Sequence, residues 1–144
     1  MLQSSLLRLT ALLLVPLLLL PGGCGRQQEA GLSPVSGKVS YRGQPVRMGK
    51  IVFAPDPARG GNGPLVLADI QPDGTYRLKT GEAPGVLPGC YRVTVSAIDA
   101  PPLPGQKFGA PRSLLPDRYR DPDLSGLGCE VQPGRENAFN FNLE

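Results

Sequence analysis

From Tyr91 to Ala97 the chain alternates without exception: Tyr91, Val93, Val95 and Ala97 are apolar, while Arg92, Thr94 and Ser96 are polar. A period of two puts the apolar set on one face of a strand and the polar set on the other. Such a strand has one wet face and needs an apolar layer over its second face, the signature of a half-covered antiparallel sheet. The same period recurs in short runs. Val35, Val39 and Tyr41 share a face in the run 35–41, and Ile51 and Phe53 do so in the run 50–54. Leu65 to Ile70 forms a third run, and Tyr76 and Leu78 share a face in the fourth, 75–79. Tyr91–Ala97 is the fifth, Leu127–Val131 the sixth, and in the last, 137–143, Phe139, Phe141 and Leu143 alternate with Asn140 and Asn142.

Turn formers sit between these runs: Gly43-Gln44-Pro45, Pro55-Asp56-Pro57, Pro72-Asp73-Gly74 and Pro133-Gly134. A total of 19 Gly and 17 Pro in 144 residues can signal low complexity, but here they punctuate apolar runs, as in an all-β domain. The stretch 59–63 is too Gly-rich for regular structure, and a long Pro-rich connection spans 101–122. No segment carries a helical period. The pattern predicts an all-β fold, a seven-stranded antiparallel β-sandwich built from two stacked sheets.

The N-terminus is of another kind. Arg8 precedes an apolar stretch from Leu9 to Leu20, interrupted by Pro16. It is too short for a transmembrane helix, which needs about 20 apolar residues, and fits an export signal. The segment ends in Pro21-Gly22-Gly23-Cys24. This resembles the bacterial lipoprotein signal, in which small residues precede a Cys that carries acyl chains such as palmitate. Gly22, Gly23 and Cys24 match; Pro21 stands where the pattern has an aliphatic residue, with Leu20 one step further out. The resemblance implies lipidation at Cys24 and a membrane anchor, with ordinary secretion as the alternative. The polar stretch after Cys24 reads as a tether, so the expected division is a signal over 1–23, a tether over 24–33 and a domain over 34–144. Nine extended residues reach at most about 30 Å, which would hold the domain close to the membrane.

A second resemblance covers most of the domain. Val35-Ser36-Gly37-Lys38-Val39, Gly43-Gln44-Pro45-Val46, Ile51-Val52-Phe53 and Asp73-Gly74-Thr75-Tyr76 occur in the order found in the carboxypeptidase regulatory-like family. The segment 116–122 with Ser125-Gly126-Leu127 is similar to short bacterial lipoproteins that carry this domain. The resemblance implies a transthyretin-like (prealbumin-like) sandwich serving as an accessory, binding or structural module, and little about chemistry.

Composition narrows the function classes. The chain has no His, which removes the commonest general base and metal ligand, and no Trp. An enzyme of the transthyretin-like type would need active-site histidines by the family's pattern. Net charge is +3 and the basic residues form no run, so nucleic acid is not an expected partner. No catalytic, cofactor-binding or metal residues are expected. Ser113, Ser125 and Lys107 have no supporting base in view. Asp117, Asp121 and Asp123 match no calcium loop and stand among Arg118 and Arg120, so they read as turn formers of a solvated loop. Arg118 and Tyr119 are candidates to anchor that crossover to the sandwich. Asp69 and Asp73 read as turn residues.

Cys90 and Cys129 leave two arrangements open. An oxidising compartment suggests a disulfide between them. Strand parity instead points Cys129 inward, with Leu127 and Val131, and Cys90 outward and partly exposed, with Arg92 and Thr94. The loops 56–64 and 99–112 are candidates for partner contact. The expected function is a non-enzymatic envelope lipoprotein, held at a membrane and binding another envelope protein or serving structurally. The alternative is a secreted sandwich that binds a small ligand or carbohydrate, for which Phe108 is the aromatic to watch.

Overall fold

The computed structural model describes residues 31–98 and 112–144. The leader 1–23, Cys24, and Lys107 and Phe108 of the long connection lie outside the described residues.

The described chain is all-β and sandwich-like. One sheet is antiparallel with strand order β4-β3-β8-β9: β3 is Gly49–Pro55, β4 Val66–Ile70, β8 Gly89–Ser96 and β9 Leu127–Val131. The other is built around β1, Val35–Tyr41. On one side β1 pairs antiparallel with β2 (Gln44–Pro45) and β5 (Thr75–Arg77); on the other it pairs with β10 (Asn137–Ala138) and β11 (Phe141–Leu143). A two-stranded hairpin, β6 (Lys79–Thr80) with β7 (Ala83–Pro84), stands beside them. Two short 3-10 turns, Pro57–Arg59 and Asp117–Arg120, complete the described elements.

The seven runs are all present as strands, with additions and breaks. The pairing of β1 with β10 and β11 is parallel, so the first and last strands form a mixed sheet where the alternation alone suggested antiparallel pairing throughout. The fourth run divides at Leu78, whose N–H donates to Val35 O at 3.0 Å while its carbonyl accepts from Gly85 N. The chain thereby leaves β1 and enters the β6–β7 hairpin.

The last run divides at Phe139-Asn140 because Gly37 of β1 brings the two backbones together. A Cβ at Gly37 would stand 1.8 Å from Phe139 O, so no side chain fits. The register on either side of the break is unchanged: Val35 faces Asn137 and Val39 faces Phe141. Across the break the Asn140 side chain stands in for a ladder carbonyl, accepting from Lys38 N at 3.0 Å. Tyr76 OH donates to Phe139 O at 2.8 Å from the opposite side.

The core lies between the sheets. Val39, Ile51, Phe53, Val93 and Val95 are fully buried, as the alternation requires of inward positions, and Val86, outside the alternating runs, is fully buried with them. Phe53 is the hub, with its ring centroid 6.0 Å from Tyr76, 5.9 Å from Tyr91 and 6.2 Å from Phe141. Tilted and edge-to-face pairs of this kind contribute about 0.5–1.5 kcal/mol each beyond their buried area.

The boundary expected at residue 34 falls earlier. Ser33 is fully buried; its N–H and C=O exchange hydrogen bonds with Val86, and its hydroxyl accepts from Gly134 N at 3.2 Å. The folded body therefore includes Ser33.

Candidate functional site

Outward positions on the four-stranded sheet carry the polar chemistry. Strand parity turns Arg92 of β8 away from the core, and two acidic residues from different parts of the chain meet it. Asp56 follows the last residue of β3, between Pro55 and Pro57. Its N–H donates to Cys90 O at 2.9 Å, and its carbonyl accepts from Arg59 N and Gly61 N. Its carboxylate caps the first 3-10 turn by accepting from Ala58 N at 3.2 Å. Gly61 is required for this wrapping, since a Cβ there would lie 2.1 Å from Cys90 O.

The Asp56 side chain is only 6% exposed, a burial that a carboxylate tolerates when paired. Arg92 is that pair: its Nε lies 3.2 Å from Asp56 Oδ2, and Nη2 donates to Oδ1 at 3.4 Å. These contacts, the hydrogen bond first and the charge of Asp56 second, push the Arg92 pKa further above its ordinary value. Arg92 Nη1 points the other way and pairs with Asp123, whose side chain is 74% exposed. The Asp123 loop is stitched down independently. Asp123 N donates to Asp121 Oδ1 at 2.8 Å, and Ser125 Oγ donates to Val93 O at 2.8 Å. Asp56, Arg59, Arg92, Asp123, Gly126 and Gly128 line an open cleft of about 330 Å³ at this point.

A second polar cluster holds the crossover to the other sheet. Tyr119 is buried; its hydroxyl accepts from Arg118 Nη2 at 2.8 Å and from Glu144 N at 2.9 Å, and donates to Glu144 O at 3.0 Å. Arg118 Nη2 also donates to Glu144 O at 2.9 Å. Arg118 and Tyr119 thus anchor the crossover as the sequence suggested. At the opposite end of the sandwich from Ser33, Tyr41, Pro45, Val46, Ala97 and Leu114 border an apolar hollow of about 350 Å³.

The remaining candidates have structural roles. Asp117 pairs with Arg120, Asp121 sets the turn before Asp123, and among the described residues no group of three or more His, Cys, Asp or Glu side chains could hold a metal ion. The Ser113 and Ser125 hydroxyls donate to the carbonyls of Leu115 and Val93. Asp69 pairs with Lys50 at 2.6 Å. Asp73 accepts from the Thr75 hydroxyl and N–H, and these hydrogen bonds hold its carboxyl below the usual range.

Cys90 and Cys129 are free thiols, so the candidate disulfide is not formed. In the β8–β9 ladder Cys90 faces Glu130 and Cys129 faces Tyr91, which gives the two cysteines opposite parity and no shared face. Cys129 packs against the core as expected; its thiol is pushed up to about 12 by burial, with a smaller contribution from Cys90. Cys90 has the outward parity expected of it but is buried, where partial exposure was anticipated. The Asp56–Gly61 wrap, which crosses at the Cys90 carbonyl, accounts for a covered position on an outward face.

The Asp56–Arg92–Asp123 grouping was not visible in the sequence. Arg92 could be placed outward by parity, but Asp56 reads only as a strand stop and Asp123 only as a turn residue. Comparison of the chain with protein families, with curated proteins and with solved structures gives no match.

Proposed function

We infer that this chain is a lipid-tethered module of the bacterial cell envelope, exported, anchored through Cys24, and acting by binding another envelope protein or as a structural element rather than by catalysis. The observation that carries the reading is the short interval between Cys24 and the folded body, which begins by Ser33. Gly22-Gly23-Cys24 follows an apolar stretch too short to span a bilayer, and several acyl chains, each buried CH₂ contributing about 0.8 kcal/mol, hold a small domain at a surface. The ordered motifs from Val35 to Tyr76 support membership of the carboxypeptidase regulatory-like group, and a sandwich-like all-β body accords with that.

The described polar side chains support a non-catalytic role. Ser113, Ser125, Tyr76 and Tyr91 donate their hydroxyls to main-chain carbonyls, and Asp56 is committed to Arg92. The described Phe and Tyr rings are buried or half-buried, which favours a protein partner over a stacked carbohydrate.

Intact mass of the protein recovered from membranes, compared with a Cys24→Ser variant, tests the anchor. A mass matching cleavage before Cys24 plus acyl chains, lost with membrane association in the variant, is the expected result. An unmodified mass in the soluble fraction would refute it and leave a secreted sandwich.

A further inference from the structure

We propose that the cleft beside Arg92 is a binding site for a carboxylate, and that Asp123 is its internal stand-in. Arg92 is positioned in advance of any ligand. Asp56 takes Nε and Nη2, leaving the Nη1 edge of the planar fork directed into the cleft. A guanidinium held on one edge offers its outer N–H groups to a second carboxylate with little further ordering.

The group now occupying that edge is poorly committed to it. The Asp123 side chain is 74% exposed, and an ion pair so open to water contributes little. Its loop does not depend on the pair, because Asp121 Oδ1 holds Asp123 N and Ser125 holds Val93 O. The carboxylate can therefore rotate into solvent while the loop stays in place.

Arg59 supplies the second cation. It ends the 3-10 turn that Asp56 caps, is exposed, lines the same cleft, and has no ion-pair partner among the described residues. With Asp123 turned out, Arg59 and Arg92 face the cleft against a single buried carboxylate, Asp56. The wall is open at Gly126, where a Cβ would meet nothing within 4 Å. A volume of about 330 Å³ suits a small dicarboxylate or the acidic side chain of a partner peptide. The inference does not depend on acylation of Cys24.

The test is a titration of the full mature chain in detergent micelles with sodium succinate, against sodium sulfate and chloride at matched ionic strength. The readout is the Arg92 Nε–H resonance and the amide resonances of Gly126 and Gly128. Saturable shifts with succinate are expected, weakened at least threefold by Arg59→Gln. Asp123→Asn removes the competitor and should tighten binding by about two- to fivefold, the range set by the energy of an exposed ion pair. Weaker or unchanged binding in Asp123→Asn would overturn the proposal. So would linear, non-saturating shifts, or equal shifts with sulfate, which would mark nonspecific anion screening. Acidic peptides that compete with succinate would identify a protein side chain as the source; if free dicarboxylates bind and peptides do not, the ligand is a small molecule. Loss of the Cys24 anchor without loss of these shifts would refute only the tether.

Discussion

Replacing Gly37 by Ala isolates the contact that sets the parallel pairing of β1. The new Cβ would sit 1.8 Å from Phe139 O and 2.7 Å from Phe139 C, both backbone atoms, and 2.9 Å from Tyr76 OH. Relief requires the strands to part by at least about 1.2 Å, in an interior packed too closely to absorb it elsewhere. That movement breaks the bond from Tyr76 OH to Phe139 O, 2.8 Å, and the bond from Phe139 N to Ser36 O, 2.9 Å. Each loss costs about 1 kcal/mol where water can reach the half-buried Phe139, and overpacking adds about 1–3 kcal/mol. The expected total is about 3–5 kcal/mol, a large part of the 5–15 kcal/mol typical of a domain. Urea unfolding followed by tyrosine fluorescence, usable because the chain has no Trp, measures it. Gly31→Ala is the control, since a Cβ there meets nothing within 4 Å. A Gly37→Ala loss below about 1 kcal/mol, comparable to the control, would refute the account of the pairing.

Asp56→Ala removes the cap on Ala58 N, about 1 kcal/mol, and strips Arg92 of its buried partner. Because Arg92 is 41% exposed and can turn to water, the total should stay near 2–3 kcal/mol, below the cost of breaking a fully buried pair. A change under about 0.5 kcal/mol in urea unfolding would sink the claim that Asp56 organises the wrap. In a Cys24→Ser background, buried Cys90 and half-buried Cys129 should resist a thiol reagent at pH 8 until urea unfolds the chain; stoichiometric labelling of both in the native protein would contradict this packing. The Cys129 pKa is raised on folding from the ordinary 9.0 to about 12, so the folded state keeps its proton longer. The stabilisation it brings is full below pH 9.0 and should fade as pH rises toward 12, and Cys129→Ala should flatten that decline.

The strand runs were legible because each inward position is decided locally, by parity. Ile51 and Phe53, Tyr91 through Val95, and Phe141 with Leu143 are buried in the alternation that the sequence displays. What parity cannot carry is the choice of neighbour. The parallel pairing of β1 depends on a close approach at Gly37 and on the Asn140 side chain, residues that could equally mark a turn and a wet face. Ser33 looks like tether because its hydrogen bonds go to Val86 and Gly134, far along the chain. Parity puts Cys90 on the outward face, but its cover comes from a loop whose path no period encodes. The same limit hid the Arg92 cleft. Its three principal residues, Asp56, Arg92 and Asp123, are brought together only by the strand order and the long crossover.

The partnership of β1 with β10 and β11 also fixes a time. Val35 waits for Asn137, and Val39 for Phe141, so the central strand of one sheet lacks half its ladder until the ribosome has added about 100 further residues. At about 5–20 residues per second that interval is about 5–20 s, far longer than a hairpin such as β6–β7 needs to form. During this wait the chain can make local turns but cannot close its sandwich, which leaves the emerging polypeptide open to whatever machinery handles it before the last strand arrives.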